Sequence, residues 1–176
     1  MKLKIIELPN PILRQVSKEV KQVDEDVKIT LANMLETMYE ANGAGLAAPQ
    51  VGLLKRMVVI DAARKGEEPA PYKMVNPKIV WHSDELQECQ EGCLSIPNQY
   101  APVQRFESVK VEYLDENGKS CVLDAKGFLA VAIQHELDHL DGIIFIDHLS
   151  KLRQKMMFKK QEKRQKRLLL SESEDE

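Results

Sequence analysis

Cysteine is nearly missing from this chain. Three in 176 residues, an odd and small number, exclude a disulfide scaffold and fit a reducing compartment. Long apolar runs are missing too, so the sequence offers no transmembrane helix and no membrane partner. The opening residues, MKLKIIELPNP, hold too short an apolar stretch for a signal peptide and are not the Arg- and Ser-rich pattern of a transit sequence. The expected location is therefore cytoplasmic. No internal repeat is visible. No G-K-[ST] follows the glycines at Gly43 and Gly45, which excludes a phosphate-cradling loop. Histidine is scarce, with four in all, so any cluster of it carries information.

What is present is ordinary for a globular protein: 43% hydrophobic and 30% charged residues, in a length that buries one core without staples. The net charge of −3 is unevenly spread. Lys151 to Arg167 holds nine Lys or Arg against one Glu, and the closing LLLSESEDE is acidic. The organisation read from this is a body over residues 1–150 with an extension of the same domain over 151–176, a basic helix and a short acidic tail.

The elements follow from caps and periodicity. Asn10-Pro11 opens one or two helical turns, and Asp24 caps a helix whose Val27, Leu31, Met34, Leu35 and Met38 form one apolar stripe. Asn42-Gly43 ends it, with Gly suited to the left-handed position. Arg56–Asp61 reads as a buried strand and Tyr72–Val80 as a second, with Pro77 marking an edge or bulge. Ser83–Gln90 is polar and extended. Ser108–Leu114 alternates and returns through the turn at residues 115–118 as Lys119–Ala125. Gly127 opens the next helix and Gly142 closes it, and Asp147 or Ser150 caps the basic one. Strands in the middle with helices before and after predict an α+β fold. Antiparallel or mixed sheets would pack around the helix that ends at Gly142, with further helices at both chain ends.

That helix contains His135-Glu136-Leu137-Asp138-His139, a match to H-E-x-x-H. Residues four apart lie above one another, so His135 and His139 can offer two imidazoles to one metal ion, and Glu136 is free to act as a base on a water. The same pattern arises by chance on solvated helices. Two ligands also leave the site incomplete, because a catalytic centre takes three from the protein and keeps one position open. His82 stands alone at a strand end, and His148 reads as a surface residue. Cys121 reads as a buried structural thiol inside a hairpin, and Cys89 has no glycine beside it. Cys93, in Glu91-Gly92-Cys93-Leu94-Ser95-Ile96-Pro97, sits at a glycine-bent turn. From there a thiolate can be aimed at a helix, and the Leu94 N–H can face the same cavity. An ordinary buried thiol fits that segment as well. Gln50, ending the small-residue run from Gly43, is the side chain there able to hydrogen-bond a ligand.

GAGLAAPQ, EGCLSIP and QHELDHLDG, in that order, resemble the three signature motifs of the peptide deformylases, and LPNPILR and the helical C-terminus extend the resemblance over nearly the whole chain. The resemblance implies removal of the formyl group from formyl-Met nascent polypeptides by a metal-dependent amidohydrolase. It implies Cys93, His135 and His139 as metal ligands, Glu136 as base, and Gln50 with the Leu94 N–H as oxyanion donors. The expected substrate-binding residues are Gly43, Ala44, Gly45, Glu91, Gly92, Tyr100, Val131 and Ala132. Val131 and Ala132 share the ligand-bearing face of the helix. Tyr100 stands where many relatives have Arg; a Tyr can still hydrogen-bond and pack, and Arg105 remains further on. The donor set alone suggests zinc. Family members commonly use one Fe(II) ion, and zinc, nickel or cobalt can replace it in a recombinant sample.

Two other readings use the same residues. A zinc endopeptidase would need a third ligand after Gly142, where only Asp147 and His148 are on offer. A ribosome-binding protein with a structural metal would have no need of Glu136. From Lys159 to Arg167 there is no apolar stripe, so the basic helix is expected to project into solvent. It could then meet the ribosome surface by charge, without reading any specific nucleic acid sequence.

Overall fold

The computed structural model describes residues 1–174; the end of the acidic tail, Asp175 and Glu176, lies outside the described residues. Short polar side chains start the first elements. Asn10 Oδ1 accepts from the Ile12 N–H at 3.1 Å and opens a 3₁₀ turn, Pro11–Arg14. Asp24 Oδ1 accepts from the Val27 N–H at 2.9 Å and opens α1, Glu25–Glu40. The expected stripe is the buried face of α1, with Leu35 half-buried at its margin. The helix end differs from expectation. Asn42, not Gly43, takes the left-handed conformation (φ 55°), which Asn tolerates. Gly43 answers a different need: a Cβ there would lie 2.7 Å from Leu94 Cδ1.

Among the described residues seven strands follow: β1 (Gly45–Ala47), β2 (Met57–Ile60), β3 (Tyr72–His82), β4 (Leu86–Cys93), β5 (Ile96–Phe106), β6 (Ser108–Leu114) and β7 (Ser120–Lys126). Five form one sheet in the order β1-β2-β3-β6-β7, while β4 and β5 form a separate two-stranded sheet. Every strand pairing is antiparallel, which selects one of the two sheet types expected. The ladder of β3 slips between Val75 and Lys78, at Pro77, as a bulge. Asn76 in that bulge bonds the backbone N–H and C=O of Val20 at 2.8 and 2.9 Å.

β5 is the strand that periodicity misses. Pro97 and Pro102 interrupt it, and its inward positions Ala101, Val103 and Arg105 include a buried charge, so no apolar alternation appears. A two-stranded sheet tolerates the prolines because each strand has a free edge. Cys121, expected to be buried, is half-buried on β7, with its thiol 3.5 Å from the Lys119 carbonyl. β7 is the edge strand far from α1, whose residues pack on β2 and β3, so no second layer covers the thiol there.

α2 (Gly127–Leu140) lies between the two sheets and is buried on almost every side, its polar Gln134, His135, Glu136 and His139 included. Ala130, Ile133, Leu137 and Leu140 join Val58, Ile60, Met74, Val109 and Val111 in the main core. On the other face of the five-stranded sheet α1 packs over Met57, Val59 and Val75. A third cluster joins Leu8, Leu13, Ile96, Val103, Phe145 and Met157, tying the N-terminal segment, the small sheet and the last helix together.

That last helix, α3 (Lys151–Glu174), starts at Ser150, whose Oγ accepts from the Arg153 N–H at 3.4 Å. Asp147 instead accepts from the Ile144 N–H at 2.9 Å. Nor does α3 leave the body at Lys159. Gln161 is 2% exposed and donates to the Leu8 carbonyl at 3.0 Å. Arg164 forks onto Glu7 at 3.0 and 2.9 Å, and Gln165 reaches the same carboxylate at 2.7 Å. These are polar contacts, so hydrophobic periodicity carries no trace of them. From Lys166 to Ser173 the helix is exposed. Among the described residues no helix is long and apolar enough to cross a membrane.

Candidate metal centre

α2 sets His135 and His139 one turn apart on the face turned to the small sheet. Cys93 arrives at the end of β4, where the β4–β5 register slips between Gly92 and Cys93. The ligand atoms of Cys93, His135 and His139 lie within 4.8 Å of one another, and among the described residues they are the one such group found. Cys93 Sγ is 3.3 Å from His139 Nε2. Burial pushes the Cys93 thiol up, but His139 and His135 outweigh it and bring it down to about 5. A thiolate is the form that binds metal.

His135 is held from behind. Its Nδ1 lies 2.7 Å from Glu91 Oε1, which leaves Nε2 for the site. Arg105 grips both Glu91 oxygens with Nε and Nη2, at 2.9 Å each. Glu91, expected to contact substrate, therefore has both oxygens engaged inside the protein. Arg105, the arginine that remains further along the chain, is 5% exposed and faces Glu91. Partners 14 residues apart on neighbouring strands leave no local signal of this.

Glu136 is different. It is 4% exposed, its Oε2 has no hydrogen-bond partner, and burial holds its carboxyl above the ordinary range. Gly45 makes the room: a Cβ there would collide with the Glu136 carboxylate. Gln50 is fixed by its carbonyl, which accepts from the Ala47 N–H at 2.9 Å, so its amide group points to Cys93 Sγ (3.4 Å) and Ser95 Oγ (3.1 Å). Ser95 went unread in the sequence. It is fully buried and donates to the Ile6 carbonyl at 2.7 Å, pinning the N-terminal segment beside the site.

A cavity of about 610 Å³ opens onto these groups. All eight residues expected to bind substrate line it, together with Leu94, Gln50, Phe128, Ile5 and Asn98. Tyr100 is 69% exposed at its mouth, with its ring laid across Gly92. His82, by contrast, stacks on Phe106 with ring centroids 3.7 Å apart, and Cys89 and Cys121 stand outside the cluster. One thiolate, two imidazoles and a buried carboxylate without a partner, at the wall of a cavity, suit a divalent ion with an open position.

The model of the polypeptide deformylase family matches residues 2–155. The peptide deformylase of Agrobacterium fabrum is 51% identical over 156 residues, 89% of this chain and 92% of its own. That of Phenylobacterium zucineum is 49% identical over 162 residues, 92% of this chain and 96% of its own. The crystal structure of peptide deformylase from Ehrlichia chaffeensis superposes with a TM-score of 0.92 at 37% identity, covering 96% of this chain and 99% of that one. The three motifs thus stand in a chain that its relatives match almost from end to end, and this chain belongs to the polypeptide deformylase family.

Proposed function

We propose that this chain hydrolyses the formamide of N-terminal formyl-methionine on newly synthesised polypeptides, with one divalent ion held by Cys93, His135 and His139. The observation that carries the reading is the convergence of those three ligand atoms within 4.8 Å beside the unpartnered Glu136 carboxylate. A divalent ion there supplies Lewis acidity and a water that is nucleophilic near neutral pH. Glu136 takes the proton of the attacking water and hands it to the leaving nitrogen as the C–N bond breaks, releasing formate and a free amine. The Gln50 amide and the Leu94 N–H donate to the carbonyl oxygen as its charge grows. Crowding between Gly45 and Glu136 favours the smallest acyl group, while Val131, Ala132, Leu94 and Ala44 wall an apolar slot for Met. At the rim, Tyr100 offers the substrate an aromatic face where many relatives have an Arg. Fe(II) is the metal the resemblance implies, and such a site loses activity in air as metal and thiolate oxidise.

The rivals have less to stand on. After Gly142, Asp147 pairs with Arg14 at 2.5 Å and His148 with Asp138 at 2.8 Å, so neither is left to complete an endopeptidase site. A structural metal would leave the buried Glu136 without a purpose. Protein prepared without oxygen, offered a formyl-Met peptide and its acetylated twin, tests all three. Deformylation alone is expected; internal cleavage would mean an endopeptidase, and no turnover a binding protein. Metal analysis of the same sample identifies the ion.

The ribosome surface is the partner we assign to α3. Lys159, Lys160, Lys163 and Arg167 make no ion pair among the described residues. Charge attraction to RNA phosphate predicts binding that falls steeply with salt. Replacing the three lysines by Gln should weaken it while leaving deformylation of a short peptide intact. Binding insensitive to salt and to these changes would leave the lysines as a solubility device.

A further inference from the structure

Behind α2, on the side away from the catalytic cavity, lies a second cavity of about 420 Å³. Arg105, Asp138, Gln134 and His148 line it. Their polar groups form a chain that ends on a metal ligand. His148 Nε2 is 2.8 Å from Asp138 Oδ2, and Arg105 Nη1 donates to the same oxygen at 2.6 Å. The remaining face of the Arg105 fork holds Glu91, whose Oε1 lies 2.7 Å from His135 Nδ1. Arg105 Nη1 also lies 3.3 Å from His148 Nε2. One nitrogen cannot both accept from Arg105 and donate to Asp138, and the shorter contact to the carboxylate prevails.

The segment that carries His148 touches His135 a second time. It is the 3₁₀ turn Phe145–His148, and the Phe145 ring stacks over the His135 ring with centroids 6.0 Å apart and planes 27° from parallel. Phe145 is 1% exposed. One turn thus bears on the imidazole twice. Through Phe145 it limits the tilt of the ring, and through His148, Asp138, Arg105 and Glu91 it fixes the direction of the ring's Nδ1–H bond. An imidazole constrained at its face and at its rear nitrogen has one orientation left for Nε2.

We propose that His148 and Asp138 are positioning residues for the metal ligand His135. They act through the Arg105–Glu91 fork, so the turn after α2 is part of the metal site although it supplies no ligand. The proposal rests on the metal reading above. It accounts for a histidine pointed at a buried ion pair, when a structural network would be complete with Arg105, Glu91 and Asp138 alone. The lever is hydrogen-bond geometry, transmitted because Arg105 has five donors in one rigid plane and cannot yield at one partner without turning at the next.

Cobalt(II)-loaded protein provides the test, since its visible absorption reports ligand geometry independently of turnover. His148→Leu and Asp138→Asn should speed cobalt release to EDTA by about 3- to 10-fold, below the 10- to 100-fold expected for a direct partner of a ligand. Both should shift the thiolate-to-cobalt band and lower kcat several-fold with KM little changed. His148→Gln, which can still donate to Asp138, should restore all three. If His148→Leu and Asp138→Asn release cobalt at the wild-type rate with an unchanged spectrum, the proposal fails, whatever happens to Tm. A loss of Tm that His148→Gln repairs while cobalt release stays at the wild-type rate would make the network structural and also overturn it. Wild-type protein that binds no cobalt would overturn the metal reading and this inference together.

Discussion

Glu91 and Glu136 sit on opposite sides of His135, one residue type at 5% and 4% exposure, and their environments drive them apart. Burial pushes both carboxyls up. At Glu91 the Arg105 bonds and His135 overcome it and hold the group down at about 2. At Glu136 the attraction of His135 and His139 is too weak, Cys93 and Glu91 add repulsion, and the carboxyl stays raised. Solvent exposure does not separate the two, but an arginine does. A carboxylate gripped by a guanidinium is a fixed anion that can only orient its neighbour, whereas one left bare can take up a proton and give it back.

The sharpest way to break this comparison is to remove the proton acceptor and leave the shape. Glu136→Gln should lower kcat on the order of 10⁴-fold, the upper part of the range for general acid–base catalysis, because one group serves both proton transfers. Metal content and Tm should hold. Loss of metal with the activity would put Glu136 in the same holding role as Glu91 and end the distinction.

Next in size is the arginine. Arg105→Leu leaves Glu91 buried without its partner and should cost about 3–5 kcal/mol in urea unfolding. Pairing it with Glu91→Met should recover most of that stability, since a buried ion pair and an apolar pair of like volume are often equivalent. Metal retention should not recover, because nothing then holds His135 from behind. A double variant that keeps its metal as well as the wild type would show that the fork serves stability alone.

Acid titration sharpens the contrast through its sign. Glu91 is depressed from 4.5 to about 2, so its contribution is fully present above pH 4.5 and is lost as pH falls toward 2. That shift corresponds to about 3 kcal/mol. Asp138 is lowered too, burial being outweighed by His148 and Arg105, and it adds to the same acid limb. Glu136 runs the other way. Its raised carboxyl costs stability at neutral pH, and that cost disappears on protonation. Metal-free Glu136→Gln should therefore be more stable than wild type at pH 7 and equal to it near pH 4. Equal stability at both pH values would mean the bare carboxylate is solvated in a way its burial denies.

Much of this arrangement is legible in the sequence where the signal is local. The i, i+4 histidines, the Asn10 and Asp24 caps and the Pro77 bulge each act within a few positions of themselves. What stays hidden is held by contacts between distant polar groups. Arg105 finds Glu91 across a hairpin and Asp138 on a helix, which makes β5 look too polar and too proline-rich for a strand. Gln161, Arg164 and Gln165 dock α3 on Glu7 more than 150 residues away, with no apolar stripe to announce it. Periodicity reads hydrophobic faces, and these faces are built from hydrogen bonds.

The smallest expected effect comes from repeating the Arg–Glu fork at the surface. Arg164 and Glu7 have the same two-pronged geometry as Arg105 and Glu91, but their side chains are 34% and 19% exposed instead of 5% and 4%. Water screens the outer pair, and either partner can be resolvated when the other is lost. Gln161 and Gln165 also donate to Glu7, so the carboxylate keeps partners without the arginine. Arg164→Leu should then cost at most about 1 kcal/mol, against about 3–5 for Arg105→Leu, although each substitution deletes a two-pronged grip on one glutamate. Added salt should shrink the outer cost further and leave the inner one unchanged, because a buried pair lies beyond the reach of mobile ions. Urea unfolding of both variants at 0.05 and 1 M salt measures this directly. If Arg164→Leu proves as costly as Arg105→Leu, burial is not what gives the fork its weight, and the contrast between the two carboxylates beside His135 would need another cause.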